Sequence, residues 1–182
     1  MRPLNVPTRN EVTDQNQEIF DDLKSKLGFV PNIYATYAHS ENALKRYLTF
    51  ANGKTSLNNK EKEVINLVVS EVNGCTYCQA AHTALGKMNG FTEEQTIELR
   101  TGEATFDSKL DALVKLAGEI AESRGKISNE VLSNFFDAGY TKENLIDVIV
   151  NVGEKATTNF LHNVTQIPVD FPAAPELTET VS

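Results

Sequence analysis

Tryptophan is absent from this chain of 182 residues, cysteine and methionine occur twice each, and basic side chains number 17 against 25 acidic ones. Two cysteines are too few for the disulfide framework of a small secreted scaffold. The formal net charge of −8 repels phosphate backbones and anionic lipid surfaces, which argues against nucleic acid and membranes as partners. No apolar run is long enough to span a bilayer, and the opening stretch MRPLNVPTRNEVTDQ lacks the apolar centre of a signal peptide. The expected compartment is therefore the cytoplasm. Strand-type alternation is missing as well, and helical periodicity runs nearly throughout, so the expected fold class is all-α. With 40% hydrophobic and 23% charged residues, the chain is long enough to bury a core without staples.

Local signals divide it into helices. Asp14 to Leu27 carries Ile19, Phe20, Leu23 and Leu27 on one stripe, with Gly28 as a C-terminal cap. Pro31 opens PNIYATYAHS, and Ser40 is the expected cap of a helix through about Ala51. Asn58 or Asn59 begins NKEKEVINLVVSEVNG, so apolar after its first turn that a central position is expected. Gly74 breaks it, and the next helix runs to Lys87 or Met88. Thr92 with Gln95 forms a capping box, Asp107 to Arg124 is strongly amphipathic, Ser128 to Ala138 is another helix, and Thr141 caps a long last one. One all-α domain is expected over residues 1–170. The proline-bearing, acidic stretch at 171–182 reads as a loosely ordered tail.

KEKEVINLVVSEVNGCTYCQAAH and KENLIDVIVNVGEKATTNFLHNV share their apolar pattern at a shift of 81 residues. This echo gives weak support to a degenerate internal duplication within the bundle. In the second copy Asn144, Ala156, Asn159 and Asn163 stand where the first has Glu63, Cys75, Cys78 and His82. Any chemistry therefore resides in the first.

Both cysteines lie in GCTYCQAAH, residues 74–82, which admits three readings: a metal site, a structural disulfide, or thiols that turn over. On one helix, the spacings of three and four residues align Cys75, Cys78 and His82 along a face, with Cys75 near the N-terminus, where backbone NH groups favour a thiolate. Helix geometry sets the two cysteine Cα atoms about 5 Å apart, within disulfide reach. So short a loop constrains the unfolded chain little, which suits a reversible couple better than a staple. Zinc needs a fourth ligand, and there is no second CxxC and no HxxxH to supply one. No cofactor is expected. A thioredoxin-type site is disfavoured because its CxxC follows a strand.

A glutamate, eleven residues, CxxC, three residues and a histidine is the pattern formed by Glu63, Cys75, Cys78 and His82. With the upstream GFVPNIYATYAHSENAL, it resembles the AhpD-like alkylhydroperoxidases of the carboxymuconolactone decarboxylase superfamily, in particular their peroxidase-related members. The resemblance is close from about Gly28 to Glu94. It implies an all-α homo-oligomer, often a trimer or hexamer, that reduces hydroperoxides at the expense of an external dithiol of lipoyl or thioredoxin type. By the same resemblance Cys78 is the attacking thiolate, Cys75 the resolving thiol, and His82 and Glu63 relay protons. Tyr77 departs from the pattern, standing where the best-known enzyme has a second histidine, and with an ordinary pKa near 10 it is a poorer base. A noncatalytic redox-sensing or scaffold oligomer, and a zinc-stabilised bundle, are the alternatives.

Several residues outside the pattern carry secondary readings. Glu71 competes with Glu63 by its nearness to Cys75, and His39 before the Ser40 cap is a further candidate for a pocket wall. Phe29, Tyr34, Tyr37, Tyr47 and Phe50 are candidates for the wall of a substrate cavity, although aromatics at helical spacing ordinarily serve core or interface.

Overall fold

In the computed structural model, which describes residues 4–177, the regular structure is nine α-helices and a 3-10 turn at Arg9–Glu11, with no strand among the described residues. The helices are α1 Asp14–Leu27, α2 Asn32–Tyr37, α3 Ala43–Ala51, α4 Asn59–Val72, α5 Thr76–Met88, α6 Glu93–Arg100, α7 Ser108–Ser123, α8 Asn129–Asp137 and α9 Lys142–Thr165. Their ends follow the local chemistry. Gly28 closes α1 at φ 84°, a left-handed conformation that glycine adopts without penalty. Reciprocal capping boxes open α4 (Asn58 with Glu61), α6 (Thr92 with Gln95) and α9 (Thr141 with Asn144). At α3 the expected cap is displaced: Asn42, not Ser40, precedes the helix, and the Ser40 N–H donates to Tyr37 O in the turn that ends α2.

Helix α4 is the hub of the bundle. Val64, Ile65, Leu67 and Val69 are fully buried, since α5, α6, α7 and α9 cover its sides. Leu113, Val114, Leu116 and Ala117 of α7 and Phe135 of α8 join them in the main core. Each such large aliphatic side chain contributes roughly 1.5–3 kcal/mol by burial. Helix α7 comes close enough that a Cβ on Gly118 would lie 3.2 Å from Val68 Cγ2. A smaller cluster of Val12, Phe20, Ala35 and Leu44 ties together α1, α2 and α3. A third joins Ile33, Cys75, Tyr77, Cys78, Ala81 and Ile167, and so sets both cysteines between α2, α5 and the segment after α9.

The two stretches that echo each other in sequence differ in backbone. Asn73, Gly74 and Cys75 separate α4 from α5, with Gly74 at φ 61°, whereas α9 runs unbroken from Lys142 to Thr165. The asparagines of α9 instead hold that break in place. Asn159 bridges Asn73 Nδ2 at 2.9 Å and Ser70 Oγ at 3.2 Å, and Asn163 Nδ2 donates to Asn73 O at 2.7 Å.

Beyond α9 the chain runs back across the cysteine-bearing face as a strap. Asp170 Oδ2 accepts from Asn32 N at 2.8 Å, Phe171 packs edge-on against Phe29 and Tyr77, and Pro175 O accepts from Arg100 Nη1 at 2.6 Å. Residues 178–182 of the expected tail lie outside the described residues.

Candidate active site

The break after α4 creates the site. Cys75 is the N-cap of α5 in extended conformation (φ −88°, ψ 95°), so it sits just outside the first turn while Cys78 and His82 lie within the helix. The Cys75 N–H donates to Ser70 O at 3.0 Å, and Cys75 Sγ accepts from Cys78 N at 3.2 Å, as an N-cap oxygen would. The two cysteines are joined as a disulfide across a Cα separation of 5.3 Å. Once reduced, a sulfur at this helix start has amide donors to stabilise its anion.

His82 Nδ1 lies 2.8 Å from Glu63 Oε2, both side chains being buried. Burial pushes the Glu63 carboxyl upward, but the charge and hydrogen bond of His82, the Lys155 ammonium and the Asn66 amide outweigh it and hold the group below its usual range. An ionised carboxylate can only accept, so Nδ1 carries the hydrogen and Nε2 is left for chemistry. Asn66 Nδ2 donates to Glu63 Oε1 at 3.3 Å and is oriented in turn by Asn151, whose Nδ2 lies 2.9 Å from Asn66 Oδ1. Glu71, the competing carboxylate, is engaged elsewhere with Arg100 Nε at 2.8 Å.

A cavity of about 300 Å³ opens on this centre. Cys78 and His82 line it, while Cys75 and Glu63 stand behind them. Cys78 is 1% exposed, so a reactant reaches it only through the cavity. Phe29, Tyr34, Tyr47, Tyr77 and Phe171 supply aromatic surface. Of the other two candidate aromatics, Tyr37 stacks on Tyr47 at a centroid distance of 4.4 Å without lining the cavity, and Phe50 is exposed on the protein surface.

Tyr77, between the cysteines, is fully buried, and its hydroxyl accepts from Ile33 N at 3.3 Å. Burial first, and Asp170 next, raise its phenol pKa far above the ordinary value, which makes it a structural hydroxyl at neutral pH. His39 is exposed, bonds Asn5 O at 2.8 Å through Nε2, and does not line the cavity. Among the described residues no three His, Cys, Asp or Glu side chains converge as a metal-binding group. No helix among them is long and apolar enough to cross a membrane.

Lining residues that sequence alone did not mark include Lys155 and Thr158 of α9, Phe171 of the strap, and the aliphatic Ile33, Leu85 and Met88. For α9 a signal existed. Val148, Val152, Lys155, Asn159 and His162 follow helical periodicity along its buried side, so a lysine stands where an apolar residue belongs. Phe171 gave no comparable sign.

Residues 38–127 match the Carboxymuconolactone decarboxylase family. No curated protein matches the chain. Among solved structures, an uncharacterized peroxidase-related protein from Silicibacter sp. TM1040 is similar at 22% identity and a TM-score of 0.81, covering 97% of this chain and 95% of that one. A peroxidase-related protein with an alkylhydroperoxidase AhpD core from Ralstonia eutropha JMP134 is similar at 19% identity and 0.83, covering 92% of each chain. The debrominase Bmp8, solved as a variant in complex with 2,3,4-tribromopyrrole, is similar at 16% identity and 0.74, covering 92% of this chain and 90% of that one. At these identities the likeness speaks for the fold. The chain thus shares the all-helical fold of AhpD-like proteins, and its residues 38–127 carry the match to the Carboxymuconolactone decarboxylase family.

Proposed function

We propose that the protein is a thiol-dependent peroxidase and disulfide oxidoreductase. The observation that carries this reading is the sharing of one cavity by Cys78 and His82, with the histidine held by buried Glu63. The Cys78 thiolate attacks a peroxide oxygen, the O–O bond breaks, and a sulfenic acid forms as alkoxide leaves and takes a proton from His82. The Cys75 thiol then displaces water from that sulfenic acid, giving the disulfide. An external dithiol reduces it by exchange, so the sum is ROOH plus dithiol giving ROH, water and a disulfide. Because Cys78 is reached only through the cavity, a reductant thiol on a slender arm, as in a lipoyl group, suits it better than one on a broad protein face. The cytoplasm supplies such dithiols.

An apolar strip on the outer side of α9, with Ile146, Ile149, Val150, Phe160 and Val164 exposed, suits assembly with further copies of the chain. Such assembly would give the trimer or hexamer that the resemblance implies.

Steady-state reduction of cumene hydroperoxide with dihydrolipoamide is the test. Many turnovers per chain are expected. One oxidation per chain and no more would support a redox sensor instead.

The aromatic wall, larger and more apolar than hydrogen peroxide needs, favours a second reading: reductive removal of halogen from a small ring, ArBr plus dithiol giving ArH, HBr and a disulfide. Bromide release from a bromopyrrole under the same dithiol would select it.

A further inference from the structure

Lys155 is 4% exposed, yet its ammonium makes no hydrogen bond among the described residues. The nearest carboxylate oxygen, Glu154 Oε1, is 3.8 Å away and already accepts from the Tyr47 hydroxyl. An ammonium has three donors and no acceptor, and the ion pair with Glu154, at 3.8 Å, leaves those donors without an acceptor at hydrogen-bond distance. Lys155 belongs to the cavity wall, so those donors have a space to serve.

The rest of the wall limits what fills that space. It contains no aspartate or glutamate, since Glu63 and Glu154 both stand outside the lining. Its two groups capable of positive charge are Lys155 and His82, and its remaining surface is largely aromatic and aliphatic. About 300 Å³ is at the small end of ligand cavities, enough for one or two rings. A phosphate ester or a sugar would leave many polar groups against apolar rings.

We propose that this cavity binds a small, planar, mostly apolar organic acid, an aromatic carboxylate or phenolate, with its anionic oxygen on Lys155 Nζ and its ring presented toward Cys78. The inference rests on the cavity being the substrate site of the thiol chemistry above. Lys155 thereby selects among ring compounds by charge, a discrimination that an apolar pocket alone does not provide.

Calorimetric titration of the oxidised protein with benzoate and with benzamide tests the proposal without any turnover. Benzoate should bind at least about tenfold more tightly than benzamide. Lys155→Met should abolish that preference, and Lys155→Arg should restore most of it. Lys155→Gln, which keeps a polar head without charge, should behave as Lys155→Met and guards against a folding defect in the latter. Equal affinity for the two probes, no benzoate binding at millimolar concentration, or full preference in Lys155→Met and Lys155→Gln would each overturn the assignment. If benzoate binds through Lys155 but no thiol turnover is found, the peroxidase reading fails alone. If turnover proceeds and the charge preference is absent, only the anion site fails.

Discussion

Glu63 Oε2 and His82 Nδ1 meet at 2.8 Å across nineteen residues of sequence, both side chains buried, one on α4 and the other on α5. The carboxylate does not reach the cavity; in the proposed mechanism its part is to fix the imidazole and hold a charge beside it. Glu63→Gln preserves size and a hydrogen bond but removes that charge. Peroxide turnover should fall by about 100-fold, the lower range for acid–base contributions, and the pH profile of kcat should shift while the thermal transition changes little. An unaltered pH profile would show that Glu63 has only a packing role.

Tyr77 stands where a second histidine would offer a base, and its buried hydroxyl serves Ile33 N instead. Tyr77→Phe should lower stability by about 1–2 kcal/mol in urea unfolding, because the buried Ile33 amide loses its acceptor. Turnover should remain within about twofold of the parent. A large loss of rate in a folded variant would make the phenol part of the proton relay.

Much of this arrangement was legible in the sequence, for identifiable reasons. Caps at Gly28, Asn58, Thr92 and Thr141 are local chemistry, and the near-continuous apolar run of α4 announced a hub covered on several sides. The spacing of Cys75, Cys78 and His82 described one helix face, apart from the half-step by which Cys75 became the N-cap. What depended on packing between distant helices was not legible. Periodicity put Lys155 on the buried side of α9 but not beside Cys78, which follows only when α9 is laid against the α4–α5 break, and the echo in sequence gave no sign that α9 would run straight where α4 and α5 part. His39 met the N-terminal segment at Asn5 rather than a pocket, a contact that no local pattern encodes.

Buried Asn159 makes two side-chain bonds, to Asn73 and Ser70, that clasp the end of α4 ahead of Cys75. Asn159→Ala should destabilise the protein by about 2–3 kcal/mol, since it strands the Asn73 amide and the Ser70 hydroxyl. Chemical unfolding monitored by circular dichroism checks this. A change below about 0.5 kcal/mol would show that water replaces the side chain at no cost.

His162 is buried beneath Tyr77, with Nε2 bonded to Ile167 O and Nδ1 unpartnered. Burial, only partly offset by the Ile167 carbonyl and the neighbouring Asn163 side chain, lowers its pKa below the 6.5 of the unfolded chain. Between the folded value and 6.5 the unfolded chain binds more protons, so stability rises with pH through that window. The contribution is complete above 6.5 and is lost as acid carries the pH down toward the folded value. His162→Gln should therefore show a smaller drop in Tm between about pH 7 and pH 5 than the parent. Parallel Tm–pH curves would contradict a neutral, buried His162.

The central claim is that Cys78, facing the cavity, is the sulfur that meets the oxidant, and that Cys75 behind it resolves. Reduced Cys75→Ser and Cys78→Ser proteins are each exposed to one equivalent of cumene hydroperoxide, and sulfenic acid is trapped with dimedone and read by intact mass. The account predicts rapid trapping on Cys78 in Cys75→Ser and none above background in Cys78→Ser. Equal or faster labelling of Cys75 in Cys78→Ser would contradict it.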